Sequence, residues 1–354
     1  MTVELRRRTG FEIELMAPAG RSRRSLAEHL AHRYGGRLRP VWHHDSEPSL
    51  VPGLGRFLHL TQGYEVYTAD DALLCTLVDD ITLVADLDPN RPAQPGWFRI
   101  LSDDRRLLRL LAAHADPGGP IETALDDAAR LWNVATDRVQ DVYRLNDDGG
   151  LTVALAAPLV GERDRPCEII TPPLVDDQHA ALAALLGPAR ELGFTVPVEA
   201  AVHLHVDGGP FRTPWGFANL VRLFGHWREP LRAVLQTNPA CTRLAPLPDA
   251  LIAAADGMPS YDDLVKAADE ADLTKYFDVN LTQLCTDTPI RDTVEVRILP
   301  GSADSDAILN RAGLVELLLD RCAEREPFPA PPADSGAAVP ALLEIAAQAL
   351  ADRD

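Results

Sequence analysis

The sequence predicts an α+β protein, a sheet with helices packed on one of its faces. Three observations predict it. Strand-like and helix-like segments are interspersed along the 354 residues, and the strands stop at turns. One strand construction recurs at Gly10-Phe11-Glu12-Ile13-Glu14-Leu15, Val202-His203-Leu204-His205-Val206, Phe277-Asp278-Val279-Asn280-Leu281 and Val294-Glu295-Val296-Arg297-Ile298. Each has an apolar row at period two and functional side chains on the opposite face. A plain solvated strand face would carry Thr, Lys and Ser; these carry Glu, His, Asn and Arg.

The elements follow in order. Ser22 can cap a helix through Leu26, Leu30 and Tyr34, closed by Gly35-Gly36. Short strands are expected at 38–42, 57–60, 64–68 and 73–84, until the Pro- and Asn-rich stretch 88–96 breaks the pattern. Two helices follow, over 104–115 and 121–132, separated by Asp116-Pro117-Gly118-Gly119-Pro120. A hairpin is expected next, with strands at 139–145 and 151–156 around Asp147-Asp148-Gly149-Gly150. The strand 167–170 is stopped by Thr171-Pro172-Pro173, and a helix over 176–192 leads to the strand of His203 and His205. Thr213-Pro214 opens a helix over 215–227, and a second runs on through Leu235. Residues 238–248 read as loop and 261–271 as helix, followed by strands at 276–284 and 293–299 and a helix over 304–325. A Pro/Ala linker, 327–340, precedes a last helix within 341–354.

Composition narrows the class. The net charge of −19 argues against nucleic acid as a partner, because that affinity rests on neutralising phosphates with basic groups. Five scattered cysteines, with no Cys-x-x-Cys, argue against a disulfide framework or a Cys-based zinc site and for a reducing cytoplasm. Nothing approaches an apolar run of about 18 residues, so no membrane insertion is expected. No Gly-x-x-x-x-Gly-Lys-Ser/Thr loop and no Gly-x-Ser-x-Gly elbow is present, and Gly53-Leu54-Gly55-Arg56 reads as a turn.

What remains is metal chemistry. Residues two apart on a strand sit roughly 6.5–7 Å apart, close enough to serve the same or neighbouring ions. Hard divalent cations favour several carboxylate oxygens, and Glu12, Glu14, Glu168, Glu295 and a histidine from His203 or His205 make such a set. Arg297, on the face of Glu295, suits a phosphoryl group or a substrate carboxylate; a simple ion pair with Glu295 is the other reading. Composition and spacing identify neither ATP nor a reaction.

The ordered motifs Gly10–Leu15, Glu168-Ile169-Ile170-Thr171-Pro172-Pro173-Leu174, His203–Val206, Lys275-Tyr276-Phe277-Asp278-Val279-Asn280-Leu281 and Thr293–Arg297 together resemble the putative amidoligase family. That family belongs to the carboxylate–amine ligase group that includes glutamine synthetase. The resemblance, over about residues 10–325, implies a glutamine-synthetase-like, mostly antiparallel sheet with a metal-binding polar face and helices on the other. It implies ATP and two or more Mg2+ ions, with Mn2+ as a substitute. Glu12, Glu14, Glu168, His203 and Glu295 would be metal ligands, Arg297 would contact the transferred phosphoryl group, and His205 would lie near the nucleotide phosphates. Lys275 and Asn280 fall in the same motif set as candidate nucleotide contacts, and Arg243 resembles a substrate-holding arginine. The family's Asp-x-Ser-Leu-like stretch has two counterparts here, around Asp80 and around Asp148.

The expectation is therefore an ATP-dependent ligase joining a small-molecule or peptide carboxylate to an amine, its catalytic body over 1–326. Segment 88–160, longer than the family's spacer, is expected to govern substrate choice. Related ligases commonly assemble, which makes a homo-oligomer possible. A metal-dependent amide hydrolase and a non-catalytic, ligand-binding member of the ligase fold are the rival readings.

Overall fold

The computed structural model describes residues 4–51, 55–241, 243–257 and 259–353; Gly53 and Leu54 of the expected turn lie outside them. The chain begins with β1 (Thr9–Met16), α1 (Arg23–Arg33), β2 (Arg37–Val51), β3 (Gly55–Tyr67), β4 (Leu73–Val78) and β5 (Phe98–Ser102). Next come α2 (Arg105–His114), α3 (Asp126–Trp132), β6 (Thr136–Val139), β7 (Val142–Asn146), β8 (Thr152–Pro158), β9 (Pro166–Ile170) and α4 (Gln178–Glu191). The remainder is β10 (Ala201–Asp207), α5 (Pro214–His226), α6 (Arg228–Leu235), α7 (Asp249–Asp256), α8 (Tyr261–Glu270), β11 (Val279–Asn280), β12 (Thr293–Pro300), α9 (Ser305–Ala323) and α10 (Ser335–Ala351). The mixed helix-and-sheet class expected from sequence is present, and every strand pairing with a defined register is antiparallel.

The chain divides into two compact units. The first comprises Met1–Ile13, Thr171–Leu186 and Val198–Asp354; the second comprises Glu14–Ile170 and Gly187–Pro197.

In the first unit the strand order is β11-β12-β10-β1. Phe11, Ile13, Val202, Leu204, Val206, Val279, Val294, Val296 and Ile298 are buried, and α6 packs against β12. Thr171-Pro172-Pro173-Leu174 lies along the other edge of β1. The Thr171 and Leu174 amides donate to the Phe11 and Thr9 carbonyls, while the two prolines between them need no acceptor. Farther on, the chain between α9 and the start of the expected linker is pinned down. The Asn219 amide donates to the carbonyls of Cys322, Glu324 and Glu326, and Trp227 Nε1 donates to Pro329 O. The last helix starts at Ser335, capped by Asp334, and carries Pro340 within it.

The second unit has the order β9-β4-β3-β5-β8-β7-β6, with β2 on the free edge of β3. Segments expected as two strands, 57–60 and 64–68, are one strand. The Gln62 side chain between them is fully used, bonding Gly96 O, Pro117 O and Phe98 N, so the backbone continues through what read as a break. Leu60, Phe98, Ile100, Leu108, Leu111, Leu125, Tyr143 and Leu145 form its core under α2 and α3. β5 was not expected, because it follows directly on a Pro-rich stretch. β4 ends at Val78 instead of Val84, since Asp79 turns to pair with Arg163 and Asp80 bonds the Thr82 amide. Asp148 sits in the exposed β7–β8 turn, where Gly150 takes φ of 80°. No helix among the described residues is long and apolar enough to cross a membrane.

All five cysteines are free thiols. Burial pushes Cys75, Cys167 and Cys322 up, Cys167 to about 12, and Cys285 to about 11. Since the thiolate is the nucleophile, native protein at pH 8 should be alkylated by iodoacetamide mainly at Cys241, and at all five only in denaturant. Mass spectrometry of the labelled peptides checks this, and rapid native labelling of Cys75 or Cys322 would contradict the burial described.

Candidate metal centre

The register of three strands builds the first unit's site. Glu12 on β1 stands opposite His203 on β10, His205 stands opposite Glu295 on β12, and Glu295 stands opposite Asn280 on β11. Because side chains alternate, these polar groups share one face while the intervening apolar residues fill the other. β12 has one extra residue here: Val202 pairs with Leu299 and Leu204 with Val296, a bulge at Arg297 and Ile298. There the Arg297 amide donates to Asp278 O.

Glu12, His205 and Glu295 each offer one ligand atom, all within 4.8 Å of one another. His205 Nε2 is buried and lies 3.1 Å from Glu12 Oε1, so a cation at this place would be shared between the two atoms. His205 Nδ1 is 3.3 Å from Thr293 Oγ1, a contact that orients the ring. His203 Nδ1 lies 3.3 Å from Glu12 Oε2 and 3.5 Å from Glu295 Oε1.

The charges are strongly linked. Burial pushes the Glu12 carboxyl up, but the neighbouring His205 and His203 imidazoles outweigh it and hold it well below its ordinary value. Burial likewise opposes ionisation of Glu295, and Arg297 and His203 bring it down. For His205, burial works against the charged ring, yet Glu12 and Glu295 raise it above the usual imidazole value.

Of the expected site residues, Glu12, His203, His205, Glu295, Arg297 and Asn280 are thus brought together on this sheet. Asn280 is placed against a ligand rather than out in the open. Its Nδ2 donates to Glu295 Oε2 at 2.8 Å, and its Oδ1 accepts from the Thr282 amide and hydroxyl. That local turn also ends β11 after two residues, where a strand over 276–284 was expected. Arg297 Nη1 pairs with Glu295 Oε1, so the ion pair foreseen as the other reading is present. Arg243 lies in the loop before α7, two residues ahead of the Ala245–Phe277 bridge that ties this loop to the segment entering β11. Lys275, in that entering segment, has Nζ 5.5 Å from the Tyr276 ring centre. Glu14 and Glu168 belong to the second unit: Glu14 is buried on β1, and Glu168 stands on β9 opposite Val78.

Two features were not singled out from sequence. Arg291 Nη1 reaches to 3.5 Å from Glu12 Oε1. Asp278, buried, is gripped by Arg228 and Arg232 of α6, each at 2.8 Å. Its place beside Asn280 in the motif was visible, but its partners lie some fifty residues earlier, beyond any local pattern.

Two carboxylates and an imidazole nitrogen gathered on one antiparallel face define a candidate divalent-cation centre. The sequence profile described as "putative amidoligase enzyme" matches residues 5–318, and the chain belongs to that family. No curated protein and no solved structure matches the chain.

Asn280→Ala would leave Glu295 without its orienting donor. Mn2+ affinity should fall about 10–100-fold, while the metal-free protein stays folded but melts lower for want of the three Asn280 bonds. Calorimetric titration with Mn2+ reads this, and unchanged affinity would remove Asn280 from the metal site.

Proposed function

We infer that the protein is an ATP-dependent carboxylate–amine ligase that forms an amide through an acyl phosphate. The observation that carries this reading is the Glu12–His205–Glu295 constellation with Arg297 beside it, in a chain whose family is described as an amidoligase.

The donor set fits a divalent cation. Two carboxylate oxygens suit Mg2+, and the imidazole nitrogen makes Mn2+ an equal or better occupant. When bound, such an ion neutralises the phosphate charge that would otherwise repel this acidic face. Glu12, His205 and Glu295 would hold it, His203 supports Glu12, and Asn280 orients Glu295. A carboxylate resists amine attack because it is resonance-stabilised and negatively charged. Moving the γ-phosphoryl group of ATP onto it makes a mixed anhydride, and the amine then displaces phosphate to leave the amide. Such transfer depends on positioning and charge neutralisation rather than on covalent help from the protein. Arg297, fixed on the β12 bulge, is the chain's own cation for the transferred group, and the loop of Arg243 is the candidate holder of a substrate carboxylate.

Purified protein given ATP, Mg2+ or Mn2+, a panel of carboxylates and hydroxylamine should produce a hydroxamate, since hydroxylamine intercepts acyl phosphates. Amide hydrolysis without nucleotide would replace this reading with that of a metal-dependent hydrolase.

A further inference from the structure

The second unit carries a half-buried guanidinium, Arg99, with which no carboxylate pairs among the described residues. Alternation along β3 puts His59, Thr61 and Gly63 on the face away from the core residue Leu60. The register then lines up His43 of β2, Thr61 of β3, Arg99 of β5 and Ala157 of β8 in one row across four strands.

Arg99 is half-buried, and among the described residues no carboxylate pairs with it. Its Nε and the neighbouring Thr61 Oγ1 are both buried without a hydrogen-bond partner. Thr61 is 1% exposed. Burial lowers the Arg99 guanidinium from its ordinary value, and the acid whose charge opposes this is Asp79. That carboxylate is already engaged: Arg163 holds it at 2.6 Å and the buried Arg23 lies at 3.9 Å. On β8 the residue opposite Arg99 is Ala157, which brings no charge. A guanidinium fork, a hydroxyl and an imidazole in one row, with a small residue beside the fork, match the planar or tetrahedral oxygens of an anion.

We propose that Arg99, with Thr61 and His43 beside it, is an anion-binding subsite of the second unit that takes a carboxylate or phosphate group of a small ligand. The ligand supplies the counter-charge that the fold withholds. The subsite goes beyond the ligase reading, and its occupancy is measured without turnover, so either can fail without the other.

The probes are succinate and inorganic phosphate, titrated calorimetrically into the full chain in low-chloride buffer. Wild-type protein should bind one or both saturably; succinate alone assigns a carboxylate ligand, and phosphate alone a phosphorylated one. Arg99→Gln should weaken that binding at least tenfold, Thr61→Val several-fold, and Glu12→Gln not at all. Without anion, Arg99→Gln should melt at or above the wild-type temperature, because it removes an unbalanced, half-buried charge; that separates lost binding from misfolding. Equal affinity in Arg99→Gln and wild type, no binding of either anion by wild type, or loss of binding in Glu12→Gln would each overturn the proposal.

Discussion

Glu12→Gln should lower ATP-dependent turnover about a thousandfold, the scale at which removing one charged or donor group from a preorganised site acts, while the protein stays folded. Glu12 lies at the middle of the site's charges: His203, His205 and Arg291 all approach its carboxylate. Gln keeps the size and the strand pattern and removes the charge a cation needs. Because a ligand that binds only the native state stabilises it, saturating Mn2+ and ATP should raise the melting temperature of the wild type and leave the variant nearly unmoved. Equal shifts in the two proteins would remove Glu12 from the metal site.

The same variant has a pH signature in metal-free buffer. The Glu12 carboxyl is held below its ordinary value, so its contribution to stability is present above the unfolded carboxylate range and is lost as pH falls through the folded value. The His205 ring is raised, so its contribution is present below the unfolded imidazole value and is lost as pH rises through the folded one. The two charges coexist only between those limits. Metal-free Glu12→Gln should therefore melt below wild type in mildly acidic buffer, with the gap closing as pH rises through the raised His205 value. A gap independent of pH would mean that the imidazole–carboxylate pairing does not stabilise the fold.

The second large effect concerns stability. Asp278→Ala should cost about 3–5 kcal/mol, the usual penalty for removing one partner of a buried ion pair. Asp278 is 1% exposed and is the shared carboxylate of Arg228 and Arg232, so truncation strands two guanidinium groups in a partly desolvated place. The damage should reach the site, since Asp278 O accepts the Arg297 amide and Asn280 stands two residues on. Urea unfolding should show a lowered midpoint, and Mn2+ binding by the folded variant should weaken. Arg232→Met, which leaves Arg228 on the carboxylate, should cost less. A loss below about 1 kcal/mol for Asp278→Ala would place the cluster among solvated surface pairs.

How legible the molecule was in its sequence differs from element to element. Long amphipathic helices such as α5 and α9 appear within a residue or two of expectation, because their caps, Thr213 and Asp304, bond the first turn as local chemistry dictates. β5 escaped notice and β3 read as two strands, because each depends on partners elsewhere: Gln62 finds Gly96 and Pro117, and Phe98 finds Gln62. α7 was missed inside a stretch that lacks a polar cap of its own, its N-cap being Pro248.

For the site, period-two alternation was enough to assign Glu12, His203, His205, Glu295 and Arg297 to polar strand faces, and the order of the motifs to indicate the family. Local periodicity fixes which side of a strand a residue occupies, since that depends on backbone geometry alone. It cannot say which strand lies next to which, or in what register. Only the tertiary structure decided that Glu12 meets His203, that Glu295 meets His205 and Asn280, and that a bulge in β12 lies at Arg297. It also decided that Asn280 serves Glu295, that Asp278 reaches back to α6, and that no carboxylate among the described residues pairs with Arg99. Each of these is a pairing across tens to hundreds of residues, set by packing and by the need to satisfy buried charge.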